Sequence, residues 1–102
     1  MKYFPPKDPT ETRLLSFEFD LPAGVSLSGS PTFVLTQLSG TPDPNTGTMP
    51  VGSAQTVGNV IEQMVTAGIN GNTYSATVRS PTSAGEVIAI GAVLPVQAAW
   101  LQ

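Results

Sequence analysis

The chain has 102 residues, a net charge of −3, 10 prolines, 10 glycines, no cysteine and no histidine. That length is one domain with one core, too short for a catalytic domain and a cofactor domain together. Without histidine or cysteine there is no Ser-His-Asp or Cys-His nucleophile, no histidine base, no ordinary zinc site and no disulfide framework.

The acidic balance, with no two basic residues adjacent, argues against nucleic-acid binding, because phosphate neutralisation needs clustered Lys and Arg. Charged residues are 11% of the chain, against about 25% in an average domain. Lys2, Lys7, Asp8, Glu11, Arg13, Glu18 and Asp20 all fall in the first 20 residues. Only Asp43, Glu62, Arg79 and Glu86 follow. A surface so poor in charge is expected to face other protein over much of its area; the alternative is a β-domain that is merely rich in Thr and Ser.

Residues 1–10, MKYFPPKDPT, hold three prolines. Proline fixes φ and removes a donor, which predicts an extended arm outside any sheet interior. Tyr3 and Phe4 have no local core to join; they pack back on the domain, dock on a neighbour or stay mobile. The stretch has no apolar core of a secretory signal, and no run reaches the length of a membrane helix. Synthesis and folding in the cytoplasm, with no membrane partner, are expected.

Residues 11–21, ETRLLSFEFDL, predict a first strand: Leu15, Phe17, Phe19 and Leu21 alternate with Ser16, Glu18 and Asp20. Residues 25–29 are a short turn-bounded element, and residues 30–38 a second strand. Residues 39–56 hold three prolines and three glycines without periodicity, and predict a long loop or a loop with an edge strand. Residues 57–66 favour strand over helix, since Val57, Val60, Ile61 and Val65 are β-branched. A turn over 67–72, with Asn70-Gly71, leads to a strand over 73–80 and another turn over 81–85. Residues 86–96 predict the last strand, apolar on both faces, so buried on both sides or continued into a partner. The tail 97–102 ends in Trp100-Leu101.

The remaining chemistry is carboxylate chemistry. Glu18 and Asp20 share a strand face, a spacing that could serve a glycosidase or a hard cation; the alternation makes them a solvent face. Asp43-Pro44-Asn45-Thr46-Gly47 echoes the start of a calcium loop but lacks a downstream acidic ligand until Glu62, and reads as an Asx turn. There is no GxSxG, Walker or dinucleotide motif. Tyr74 reads as a corner tyrosine, ring in the core and hydroxyl on a backbone carbonyl. No catalytic residue, metal or cofactor is expected.

Two groups of residues carry a resemblance. Gly68, Gly71 and Tyr74, followed by the turn Thr82-Ser83-Ala84-Gly85-Glu86 and an apolar strand, resemble immunoglobulin-like and fibronectin-III-like sandwiches. Lys7-Asp8-Pro9-x-Glu11 before the first strand adds a second match. In that order they resemble a family of small tailed-bacteriophage virion proteins, over about residues 7–21 and 66–95. The resemblance implies an all-β immunoglobulin-like sandwich of about seven strands, with a jelly roll or small barrel as the other architecture. The sandwich spans 11–96, between the arm 1–10 and the tail 97–102. It also implies a non-enzymatic capsid-decoration, head-fibre or tail component located in the virion. Expected partners are further copies of the chain and other virion proteins. Residues 87–96 are more apolar than the family's closing strand; with the arm and tail as apolar anchors, the candidate interface is Tyr3, Phe4, Val93, Leu94, Val96, Trp100 and Leu101. The alternative is a carbohydrate- or receptor-binding sandwich.

Overall fold

In the computed structural model, residues 3–101 are described; Met1, Lys2 and Gln102, the outer ends of the expected arm and tail, lie outside the described residues. Six strands form: β1 (Arg13–Glu18), β2 (Thr32–Ser39), β3 (Pro50–Val57), β4 (Val60–Val65), β5 (Thr73–Pro81) and β6 (Val87–Pro95). They make two three-stranded antiparallel sheets, ordered β1-β4-β3 and β2-β5-β6. Leu15, Phe17, Ile61 and Val65 of the first sheet pack in one core with Tyr74, Ala76, Val78, Ala92 and Leu94 of the second. The fold is an all-β sandwich.

The two-residue period decides which side chains enter that core. Along β5, Tyr74, Ala76, Val78 and Ser80 are fully buried, while Thr73, Ser75 and Thr77 are half-covered and Arg79 is exposed. β5 and β6 pair without a register shift from Thr73 opposite Pro95 to Pro81 opposite Val87, so one alternation runs through both.

The described residues form six strands and not the expected seven. Residues 25–29 do not become a strand; they contribute one bridge, Leu27 to Thr82, because Gly24 and Gly29 at positive φ bound too short a run. The first strand ends at Glu18, although Phe19 stays in the core and donates its N–H to the Asn59 carbonyl at 2.8 Å. The long loop contains a 3-10 turn (Thr46–Thr48) and then the edge strand β3. Val57 closes β3 and does not open β4. Gly58, with φ 61°, sits where a two-residue hairpin needs positive φ, and Val57 pairs with Val60 across it.

The described part of the N-terminal arm lies on β6. Tyr3 bridges Val93 and Lys7 bridges Val96, both in parallel. The Phe4 N–H donates to Val93 at 2.9 Å and the Lys7 N–H to Pro95 at 3.0 Å. Phe4 packs back, its ring edge-on to Phe17 at 5.3 Å. Burial of β6 on both faces is therefore confined to residues 92–94, beside the arm; Val87, Ala89 and Gly91 are exposed on its outer face.

Candidate interaction surfaces

The turn between β4 and β5 carries a network of side-chain hydrogen bonds. Tyr74 has no accessible surface. Its hydroxyl accepts from the Ile69 N–H and from Asn72 Nδ2, both at 3.2 Å, and donates to Asp43 Oδ2 at 2.9 Å. The expected carbonyl acceptor is thus replaced by a carboxylate, a stronger acceptor. Burial pushes the Tyr74 phenol above its ordinary value; the Ile69 and Asn72 donors oppose this and Asp43 reinforces it. Asn72 also grips the Thr41 peptide from both sides, accepting its N–H at 2.8 Å and donating to its carbonyl at 2.7 Å. The loop holding Asp43 is thereby fastened to the corner.

Gly68 and Gly71 serve this corner in different ways. Both have positive φ, 98° and 90°. A Cβ at Gly68 would meet Val96 Cγ2 at 2.9 Å and Met49 Cε at 3.2 Å, whereas Gly71 opens onto free space. The Gly71 N–H donates to Val96 at 2.8 Å. The first glycine answers to packing and the second to conformation alone. Asp43 uses Oδ1 for the Asn45 N–H at 2.9 Å and Oδ2 for Tyr74. The calcium-loop echo is an Asx turn within this network. Among the described residues no group of three or more acidic side chains could hold a metal ion.

The burial of Lys7, which the sequence marked only as part of a motif, is what sequence reasoning missed. Lysine is almost never fully buried, yet this one has no accessible surface. Its ammonium donates to the Asp8 carbonyl at 2.9 Å and to the Ala67 carbonyl at 2.5 Å. Ala67, φ 60°, is the single non-glycine residue with positive φ among those described. Burial lowers the Lys7 pKa, while the Glu11 and Asp8 carboxylates pull it back up. The sequence signal was a lone cation inside the apolar, proline-rich stretch YFPPK.

The tail joins the same end of the molecule. The Gln97 N–H donates to Lys7 at 2.8 Å, Ala98 to Asn70 Oδ1 at 2.8 Å and Ala99 to Asp8 Oδ2 at 2.6 Å. Hydrogen bonds from Thr10 and Ala99 hold the Asp8 carboxyl below its ordinary value. A short 3-10 turn, Ala99–Leu101, then projects Trp100, which is 81% exposed.

The expected interface residues consequently divide. Tyr3, Trp100 and Leu101 are exposed and Phe4 is half-buried, whereas Val93, Leu94 and Val96 are buried. Leu94 and Val96 belong to the core and present nothing to a partner, because the inward alternation of β6 continues past its last residue. Val93 points outward but is bridged to Tyr3 of the arm.

On the outer face of the second sheet, Leu38, Ser75, Thr77, Gly91 and Val93 line a shallow, mostly apolar groove of about 300 Å³. Glu18 and Asp20 line an open polar depression with Phe19, Leu21 and Asn59 at the far end of β1. The one ion pair among the described residues, Arg13 to Glu11 at 3.3 Å, is half-exposed and adds little. No family model, curated protein or solved structure matches this chain.

Proposed function

We propose that this protein is a non-enzymatic immunoglobulin-like module that acts through protein–protein contacts, as a structural component of a tailed-phage particle. The observation that carries the assembly reading is the outer surface itself. Val34, Leu38, Val87, Trp100 and Leu101 are exposed, and the 82 residues after Asp20 hold four charges. Large apolar side chains in a charge-poor setting fit a surface covered by protein. The sheet orders β1-β4-β3 and β2-β5-β6 match the B-E-D and C-F-G pattern of immunoglobulin domains. The arm on β6 supplies a seventh extended segment, and Tyr74 stands at the start of the penultimate strand, the place of a corner tyrosine. The phage assignment rests on the order of motifs, from Lys7-Asp8-Pro9 to the Thr82–Gly85 turn. Light scattering at tens of micromolar and peptide mapping of purified particles test the reading. An oligomer, or peptides of this chain in particles, is the expected result; a strict monomer absent from particles overturns it.

The exposure of Trp100 favours one other reading, a carbohydrate- or receptor-binding module, since sugars stack on exposed indoles. Glycan-array binding that disappears in Trp100→Ala would establish it.

A further inference from the structure

We infer that β2 is the site of self-association, pairing antiparallel with β2 of a second copy across a twofold axis. The inference rests on the assembly reading above and names its contact. Four strand edges need an account in this sandwich. That of β6 is covered by the arm from Val93 to Pro95, and its open remainder, residues 87–92, is weakened as a pairing edge by Gly91. Among the described residues, β1 and β3 pair only with β4, and β2 only with β5. Exposed edges expose unpaired N–H and C=O groups, and monomers blunt them with charge, proline, bulges or shortness. β1 has six residues and carries Arg13 and Glu18. β3 begins with Pro50, has Gly52 at φ 72°, and loses register between Val51 and Gln55. β2, eight residues of sequence TFVLTQLS, has no charge, no proline and no glycine. Its pairing with β5 is regular from Thr32 to Gln37; its one irregularity, between Gln37 and Ser39, falls at Leu38 near the end of the strand and leaves that side chain on the outer face.

The side chains of β2 point the same way. Phe33 and Leu35 face the core but are only half-buried, whereas Tyr74, Ala76 and Val78 beside them on β5 are fully buried. An added strand would cover the exposed flank of both. On the outer face, Val34 and Leu38 are 49% and 56% exposed. The strand is self-complementary in one register. Opposing Val34 to Leu38 of the second copy repeats the same pair through the twofold axis and places Thr36 opposite its own mate. Opposed residues share a face in antiparallel pairs, so both apolar pairs lie together on the outer side. No like charges meet across the axis. Joined in this way, the two second sheets become one continuous six-stranded sheet with the arms at its ends.

The cysteine-free sequence makes the test clean. Opposed Cα atoms lie about 4.5–5.5 Å apart, within the roughly 4.4–6.8 Å span of a disulfide. Thr36→Cys is therefore expected to give a disulfide-linked dimer under mild oxidation, with Thr77→Cys, on the central strand of the same sheet, staying monomeric under the same treatment. In sedimentation velocity, V34K/L38K is expected to weaken association about tenfold or more. V34K/L38E, which sets opposite charges in both pairs, is expected to restore it. Circular dichroism of each variant confirms that it is folded. A wild-type oligomer unaffected by V34K/L38K and not cross-linked by Thr36→Cys overturns this inference and leaves the assembly reading standing. So does a solution monomer found in particles. A monomer absent from particles overturns both.

Discussion

At the residue scale, Tyr74, Gly68 and Lys7 are the positions where small changes have defined costs. Tyr74→Phe keeps the ring in the core and removes the hydroxyl, leaving the Ile69 N–H, the Asn72 amide and Asp43 without their shared partner. The expected loss is about 1–3 kcal/mol in urea unfolding; an unchanged midpoint would show that the loop holds without it. Gly68→Ala adds backbone strain to a clash with Val96 and Met49 and should cost about 2–4 kcal/mol. Lys7 and Tyr74 act in opposite senses at alkaline pH. The folded Lys7 pKa lies below its ordinary 10.5, so the unfolded chain binds that proton more tightly and stability rises as pH climbs towards 10.5. The folded Tyr74 pKa lies above its ordinary 10.0, so the unfolded phenol ionises first and stability falls above 10.0. Unfolding free energies measured from neutral pH to the alkaline limit should lose the rise in Lys7→Met and the fall in Tyr74→Phe.

At the element scale, the arm behaves as a strand that borrows its partner. It contributes two parallel bridges, the Phe4–Phe17 contact and the buried Lys7. Phe4→Ala removes a half-buried ring from an edge-on aromatic pair, and about 1–2 kcal/mol of stability should go with it. Thermal melting reads this directly, and an unshifted midpoint would mean that the arm is held by its backbone alone. The tail makes a different contribution. Trp100 is 81% exposed, so its emission should be that of solvated indole and open to iodide quenching in the free chain. A blue shift on assembly would place the tail in the contact; constant emission would leave the contact to the sheet.

At the scale of the whole molecule, both sheets share one core, with Phe17 and Ile61 from one side and Tyr74 and Val78 from the other. Among the described residues, neither sheet has a separate hydrophobic cluster to hold it when the other opens. Unfolding should therefore be a single transition, with far-ultraviolet and tyrosine near-ultraviolet dichroism coincident. Two separated midpoints would show that one sheet survives alone.

The alternation of Leu15 with Phe17, and of Tyr74, Ala76 and Val78, was legible in the sequence, as were the turns at 67–72 and 81–85. Each depends on neighbours two or three residues away, and the strand period and the conformational needs of glycine and proline are local properties. The corner tyrosine was legible as a type. Its acceptor was not, because Asp43 lies 31 residues distant and only the packing of the loop brings it there. The same holds for Lys7, whose carbonyl partner on Ala67 lies 60 residues on. An apolar strand such as β6 reads identically whether its faces meet the core, the arm or solvent. Only the tertiary structure buried Leu94 and Val96, laid the arm on Val93 and left Trp100 and the edge of β2 exposed. Those outcomes depend on which strands pair, and pairing is a contest among distant segments that no local pattern records.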